Sequence, residues 1–271
     1  MTLSTALKKT ALPLLALIFL ICFVMYLSPL AFKRLFPQLS HSEKNCTRLL
    51  VTFAHADDEL TNAGLIRHFA DTGSQITLIV LTDGAANTES DRTACLKNET
   101  MTACRKRELE NVGSMLGLDH IVFGNLPDSN LQGFLSEARQ IVSKEMKDFQ
   151  PDCLLTMEAT GLNGNADHRA AHRAVKTAVA DLDFDGIVYL STLPWPMRFF
   201  LPSHLPNNST DEIKIFSTNK RLKEIKVQIG MAHKSQAKTI RNITLGLGPS
   251  ALFSWLDFET YSVHNANDLF E

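Results

Sequence analysis

"RLLVTFAHADDELTNAGLIRHFADTGSQITLIVLT", residues 48–82, decides the fold. Residues 48–54 are a short apolar run of the kind that forms a buried strand. The run breaks off at His55, Asp57, Asp58 and Glu59, four ionisable side chains within five positions. Residues 58–73 then read as a helix ending near Gly73, and residues 75–82, apolar and β-branched, as a second strand. The rest of the chain continues the alternation. "CRKRELENVGSMLG" (104–117) predicts a helix, "HIVFG" (120–124) a strand, "LSEARQIVSKEMKDF" (135–149) a helix and "DCLLTM" (152–157) a strand. "DHRAAHRAVKTAVADL" (167–182) is helical, "GIVYLST" (186–192) is a fifth strand, and "NKRLKEIKVQIGMAHKSQAKTIR" (219–241) reads as one long late helix. Strands alternating with helices imply an α/β fold, a mainly parallel sheet with helices on both faces. In such sheets ligands gather at the carboxyl ends of the strands, which is where the acidic cluster falls.

The amino end differs in kind. "ALPLLALIFLICFVMYLSPLAF" (11–32) contains no charge and is flanked by Lys8, Lys9, Lys33 and Arg34. A bilayer-spanning helix needs about 20 apolar residues. The run exceeds the signal-peptide core of about 7–15 residues and precedes no small-residue cleavage site. The expected organisation is a short segment (1–10), a single transmembrane anchor (11–32), a polar tether (33–47) and one domain (48–271). Lys33, Arg34, Lys44 and Arg48 outnumber Lys8 and Lys9, which favours a cytoplasmic domain. The cysteines point the other way. Outside the anchor they number four: Cys95 and Cys104 in one loop-like stretch, and Cys46 and Cys153 at the starts of two predicted strands. Two disulfides, hence an oxidising compartment, and four unpaired thiols are both compatible with this spacing. The membrane face stays open at this point. A formal net charge of −2 argues against nucleic acid as a partner.

Crowded carboxylates repel one another unless something positive lies among them. His55 and Asp58 supply one nitrogen and one oxygen suited to a divalent cation such as Zn2+. A third donor is expected from "GLNGNADHRAAHRAV" (161–175), where Asp167 and His168 open a helix after the strand 152–157. A cation held by His55, Asp58 and His168 leaves Asp57 as a base. His172, one helical turn beyond His168, reads as a packing residue or a support for the site. Glu59 reads as a cap or as an orienting partner.

These residues carry a resemblance. "AHADDE" (54–59) resembles the A-H-P-D-D-E signature of the PIG-L/LmbE-like zinc N-deacetylases, and "GNADH" (164–168) that family's G-H-P-D-H segment. "RKRELENVGSMLG" (105–117) is similar to its R-x-x-E-L helix and "AHKSQ" (232–236) to its late H-x-S-Q. The similarity covers roughly residues 48–262, in order. It implies a Rossmann-like domain, zinc bound by His55, Asp58 and His168, Asp57 as general base, and removal of acetate from an N-acetylated amino sugar. Two positions depart from the pattern: Ala56 replaces a proline, and Asn165 stands where many members have a histidine that stabilises the oxyanion. An asparagine amide can donate to an oxyanion but cannot act as an acid. Arg105, His233, Asp83 and Asp128 are expected at the substrate, each with a plain structural alternative: an ion pair with Glu108, a packed helix face, or a turn. With the anchor, the expected activity is deacetylation of an N-acetylglucosamine glycolipid or glycoconjugate at a membrane. A membrane-tethered saccharide-binding protein with weakened catalysis is the alternative that Asn165 raises.

Overall fold

The computed structural model describes residues 31, 33–39, 46–86, 91–193, 212–243, 246 and 248–270. Seven strands form one sheet in the order β3-β2-β1-β4-β5-β7-β6. They are β1 (Arg48–Phe53), β2 (Gln75–Thr82), β3 (His120–Leu126), β4 (Cys153–Met157), β5 (Ile187–Ser191), β6 (Ile213–Ser217) and β7 (Phe258–Asn265). The first five pair in parallel. Alternate residues of β1 serve opposite faces: Leu49, Val51 and Phe53 enter one core, Leu50 and Ala54 the other. Helices α1 (Ala63–Asp71), α2 (Met101–Leu116) and α5 (Lys220–Ala232) pack on the first face, and α3 (Leu135–Phe149) and α4 (Ala166–Asp181) on the second. β1 continues to β2 on one side and β4 follows on the other, so the strand order reverses between β1 and β4. That reversal opens a crevice at their carboxyl ends.

Three features differ from the sequence reading. β7 runs antiparallel between β5 and β6, so the sheet gains a two-strand antiparallel extension. Neither strand is expected from sequence, because β6 is short and β7, "FETYSVHN", is mostly polar. The long helix expected over 219–241 breaks. α5 ends at Ala232, a 3-10 turn covers Lys234–Gln236, and α6 (Ala237–Ile243) resumes. The break buries His233, Ser235 and Gln236 completely. Finally, part of the expected tether lies on the domain. Leu39 N donates to Ile215 O at 2.7 Å, Ile215 N donates to Pro37 O at 2.8 Å, and Lys33 pairs with Asp257 at 2.5 Å. An edge strand has unpaired backbone groups to offer, and β6 spends some of them on residues 37–39. Among the described residues no helix is long and apolar enough to cross a membrane. The anchor expected over 11–32 lies outside the described residues, apart from Ala31.

A buried charge cluster ties the antiparallel extension to the first face. The Glu259 carboxylate accepts Gly64 N at 2.8 Å and Leu65 N at 2.9 Å, satisfying orphan amides at the start of α1. It also accepts Tyr261 Oη at 2.8 Å and pairs with Lys226, and both members of that pair are 2% exposed. Glu259→Ala strands a buried ammonium and two amide donors at once. The expected loss is about 3–5 kcal/mol of stability, read from the urea midpoint. A loss below about 1 kcal/mol, the scale of an exposed pair, contradicts this account.

Candidate functional site

The crevice between β1 and β4 is lined by the residues that follow those strands. After Phe53 the chain turns sharply: His55 N donates to Asp58 Oδ2 at 2.8 Å and Leu60 N to Asp57 O at 3.2 Å. Asp57 sits at φ 153°, ψ −10°, a conformation that costs a residue with a Cβ on the order of 1–3 kcal/mol. After β4 the chain forms a turn at Gly161–Gly164 and then α4, whose first residues include Asp167 and His168. Gly161 has φ +69°, and a Cβ there would lie 2.9 Å from His168 Cβ. A glycine is required for the backbone to approach this histidine.

His55, Asp58 and His168 converge, their donor atoms all within 4.8 Å of one another. His55 Nδ1 lies 3.2 Å from His168 Nε2 and 3.6 Å from Asp58 Oδ2, and His168 Nε2 lies 3.1 Å from Asp58 Oδ1. The outer ring nitrogens have acceptors of their own. His168 Nδ1 is 3.1 Å from Gly161 O, and His55 Nε2 is 3.3 Å from both Asp167 Oδ2 and Asp128 Oδ1. Protons on those outer nitrogens leave two lone pairs and a carboxylate facing one point, the arrangement a zinc-class cation requires. Asp167 is itself held by Ser129 N at 2.7 Å and Leu131 N at 2.9 Å, and Asp128 by Ala86 N at 3.0 Å. These two carboxylates therefore orient His55. Asp128, expected at the substrate, contacts a metal-ligand candidate, His55.

Without a cation, burial weakens the basicity of His55, but hydrogen bonds to Asp128, Asp167 and Asp58 outweigh it and hold its pKa well above the ordinary value. Burial also opposes the charge on His168, which Asp58 more than restores. At Asp58 the burial penalty is overcome by the charge and hydrogen bond of His168, so its carboxyl lies below the usual range. Asp57 is the exception. Burial raises its pKa, and the positive charge of Arg105 pulls it only part of the way back. A carboxylate that holds its proton more tightly than usual is a better general base.

Arg105 on α2 donates through Nη2 to Asp57 Oδ1 at 3.1 Å and to Ala56 O at 2.8 Å, and through Nη1 to Gly84 O at 3.1 Å. Gly84, at φ +65°, leaves room for the guanidinium, which a Cβ would approach to 2.8 Å. Arg105 thus stands behind Asp57 with these donors committed to the protein. His233 is fully buried, as its packed alternative expects, with Nε2 2.5 Å from Glu59 Oε1. Its neighbour Ser235 donates N and Oγ to Glu108 at 2.9 and 2.7 Å. Asp83 forms a turn, accepting Ala85 N at 3.0 Å and Asp128 N at 3.3 Å. Asn165 caps α4, its Oδ1 accepting Asp167 N at 2.8 Å and His168 N at 3.3 Å. That leaves its amide N–H as the group to offer an oxyanion. His172 Nδ1 lies 2.9 Å from Met157 O and is buried, away from the donor set. Exposure separates the roles: His55, Asp57 and His168 keep 13%, 17% and 10% of their side chains exposed, against 4% for Arg105 and none for Glu59.

A family model described as PIG-L, GlcNAc-PI de-N-acetylase, matches residues 50–179, the segment that holds the whole donor set. Over that segment the chain is similar to the PIG-L family. Over 153 residues it is 29% identical to a 1D-myo-inositol 2-acetamido-2-deoxy-alpha-D-glucopyranoside deacetylase of Catenulispora acidiphila, covering 48% of this chain and 47% of that protein. Over 202 residues it is 26% identical to a probable N-acetyl-alpha-D-glucosaminyl L-malate deacetylase of Bacillus anthracis, covering 72% and 84%. The chain spans about half the length of most of the curated relatives it matches. Among solved structures, the zinc-inhibited form of teicoplanin deacetylase Orf2 superposes with a TM-score of 0.63 at 18% identity, over 82% of this chain and all of that one. At that identity the likeness speaks for the fold alone. The residues that sequence reading did not place are the supports of the donor set, above all the grip of Asp167 and Asp128 on His55. An aspartate next to a predicted ligand was the one signal available for Asp167.

Proposed function

We propose that this chain is a zinc-dependent amide hydrolase that removes the acetyl group from an N-acetylglucosamine unit of a glycolipid or related conjugate. One observation carries the reading: two imidazole lone pairs and a carboxylate meet beside a strained, partly exposed aspartate of raised basicity. A zinc ion in that donor set supplies a Lewis acid for the amide carbonyl and makes water a competent nucleophile near neutral pH. Asp57 takes the proton of the attacking water and returns it to the departing amine. Arg105 holds that carboxylate in position. Asn165 Nδ2 is the proposed donor to the developing oxyanion. Asp128 and Asp167 keep His55 in one tautomer. The deacetylase names of the relatives support the sugar class.

The apolar run 11–32 motivates a lipid-linked substrate and a single-pass anchor. The contacts of residues 37–39 with β6 and of Lys33 with Asp257 support a domain held close to its anchor. A disulfide joins Cys95 and Cys104, which favours placing the domain on the oxidising side of the membrane.

Acetate release from N-acetylglucosaminyl-phosphatidylinositol and from soluble acetylated glucosamine conjugates, with and without chelator, tests the proposal. Release from at least one of them, abolished by chelation and restored by zinc, is expected. Binding of these sugars by the zinc-loaded chain without acetate release would favour a weakened saccharide-binding protein. The use of Asn165 Oδ1 as a helix cap is the observation on that side.

A further inference from the structure

Two cysteines lie at the opposite end of the sheet from the metal donors. Cys46 lies two residues before β1 and Cys153 begins β4; both are free thiols in the structure, 7% and 1% exposed. Their sulfurs lie within 4.8 Å of each other and of an Asp152 carboxylate oxygen. The neighbouring Cys153 thiol, ahead of burial, pushes the Cys46 thiol up.

We propose that Cys46 and Cys153 close to a second disulfide that staples the amino ends of β1 and β4, the strand pair whose carboxyl ends carry His55, Asp58 and His168. β1 and β4 pair over only three positions, Leu49↔Cys153, Leu50↔Leu154 and Val51↔Leu155, so a covalent tie at their base bears directly on the crevice. The chain already holds one disulfide, Cys95–Cys104, and conditions that close one pair act on another in contact.

A metal site is the competing use of these sulfurs, and Asp152 argues against it. Both of its oxygens accept from Thr47 N, at 3.1 and 3.0 Å, one accepts Thr47 Oγ1, and the other accepts Arg48 N at 2.9 Å. Two thiols without a free third donor do not make a structural zinc site.

In the closing step two S–H bonds break and one S–S bond forms. Two protons and two electrons pass to an incoming disulfide, that of an oxidoreductase or of oxidised glutathione, which leaves as thiols. The nucleophile is the thiolate, and a buried, raised thiol exchanges slowly. Closure therefore belongs to folding, before β1 and β4 seal.

The test uses the full chain made in an oxidising compartment, denatured in alkylating reagent without reductant, digested and mapped by mass spectrometry. A joined Cys46–Cys153 peptide is expected, with neither residue alkylated. Cys46→Ser, Cys153→Ser and the double variant are expected to lower Tm by the same amount, about 10 °C, because each opens the same loop of roughly a hundred residues. Alkylation of both cysteines in protein whose Cys95–Cys104 bond is intact overturns the proposal, as do Tm losses that add in the double variant. A second zinc per chain that Cys46→Ser removes also overturns it, in favour of a thiolate metal site.

Discussion

Asp57→Asn is expected to lower turnover by roughly 10²–10⁴-fold while the chain keeps its zinc, since a general base contributes about that much and Asp57 is not among the converging donors. The asparagine is nearly isosteric and tolerates positive φ better than most residues, so the turn after β1 survives. Stability is expected to hold or rise. The folded pKa of Asp57 is raised, so its favourable contribution belongs to acid pH and is lost as the group ionises. At neutral pH the ionised form is a cost, which the amide removes. Metal content by mass spectrometry, Tm and acetate release measured together separate these effects. Undiminished release by a zinc-loaded Asp57→Asn chain would end the assignment of the base. Arg105→Met extends the test. The charge of Arg105 lowers the Asp57 pKa, so its loss is expected to move the acid limb of the kcat/KM profile to higher pH. A merely structural arginine would depress the rate without moving the limb.

Removal of a metal donor has a comparable effect through a different route. His168→Ala is expected to abolish zinc binding and turnover together, whereas Asp167→Asn, which only loosens the grip on His55, is expected to weaken zinc about 10–100-fold. Zinc retained at full affinity by His168→Ala refutes the proposed donor set. The titration of the site supplies a further signature. Zinc requires both imidazoles neutral, and their basicity in the metal-free site is raised. Protons therefore compete strongly, and zinc affinity falls as pH drops through the raised pKa values. The metal-free chain behaves oppositely. A histidine with a raised folded pKa contributes stability fully below its unfolded value, about 6.5, and loses that contribution as pH rises through the folded value. Thermal melts over about pH 6–9 are thus expected to show Tm falling with pH in chelator relative to the same protein in zinc.

Several of these features were legible along the chain. The five parallel strands declare themselves as short apolar runs, and four of them, β1, β2, β4 and β5, are buried along nearly their whole length, which removes the need for polar alternation. His55, Asp57, Asp58 and His168 are conspicuous because charge follows immediately on a buried strand or opens a helix after one. The elements that sequence reading missed share a physical trait. β6 and β7 are half-polar and pair antiparallel with partners far along the chain. The break at His233 looks like unbroken helix because its cause lies elsewhere: Glu59 holds His233 and Glu108 holds Ser235.

What the sequence determined by itself was the layered α/β plan and the ends of β1 and β4 as the place for chemistry, since apolar periodicity and the switch to polar residues are local properties. Only the tertiary structure decided which charged residues meet. Arg105 lies 48 positions from Asp57, Asp167 lies 112 from His55 and Glu59 lies 174 from His233. An isolated arginine, aspartate or histidine looks like a solvated surface residue. Its role appears only when packing strips away water and leaves one partner within reach, because burial makes that single contact compulsory.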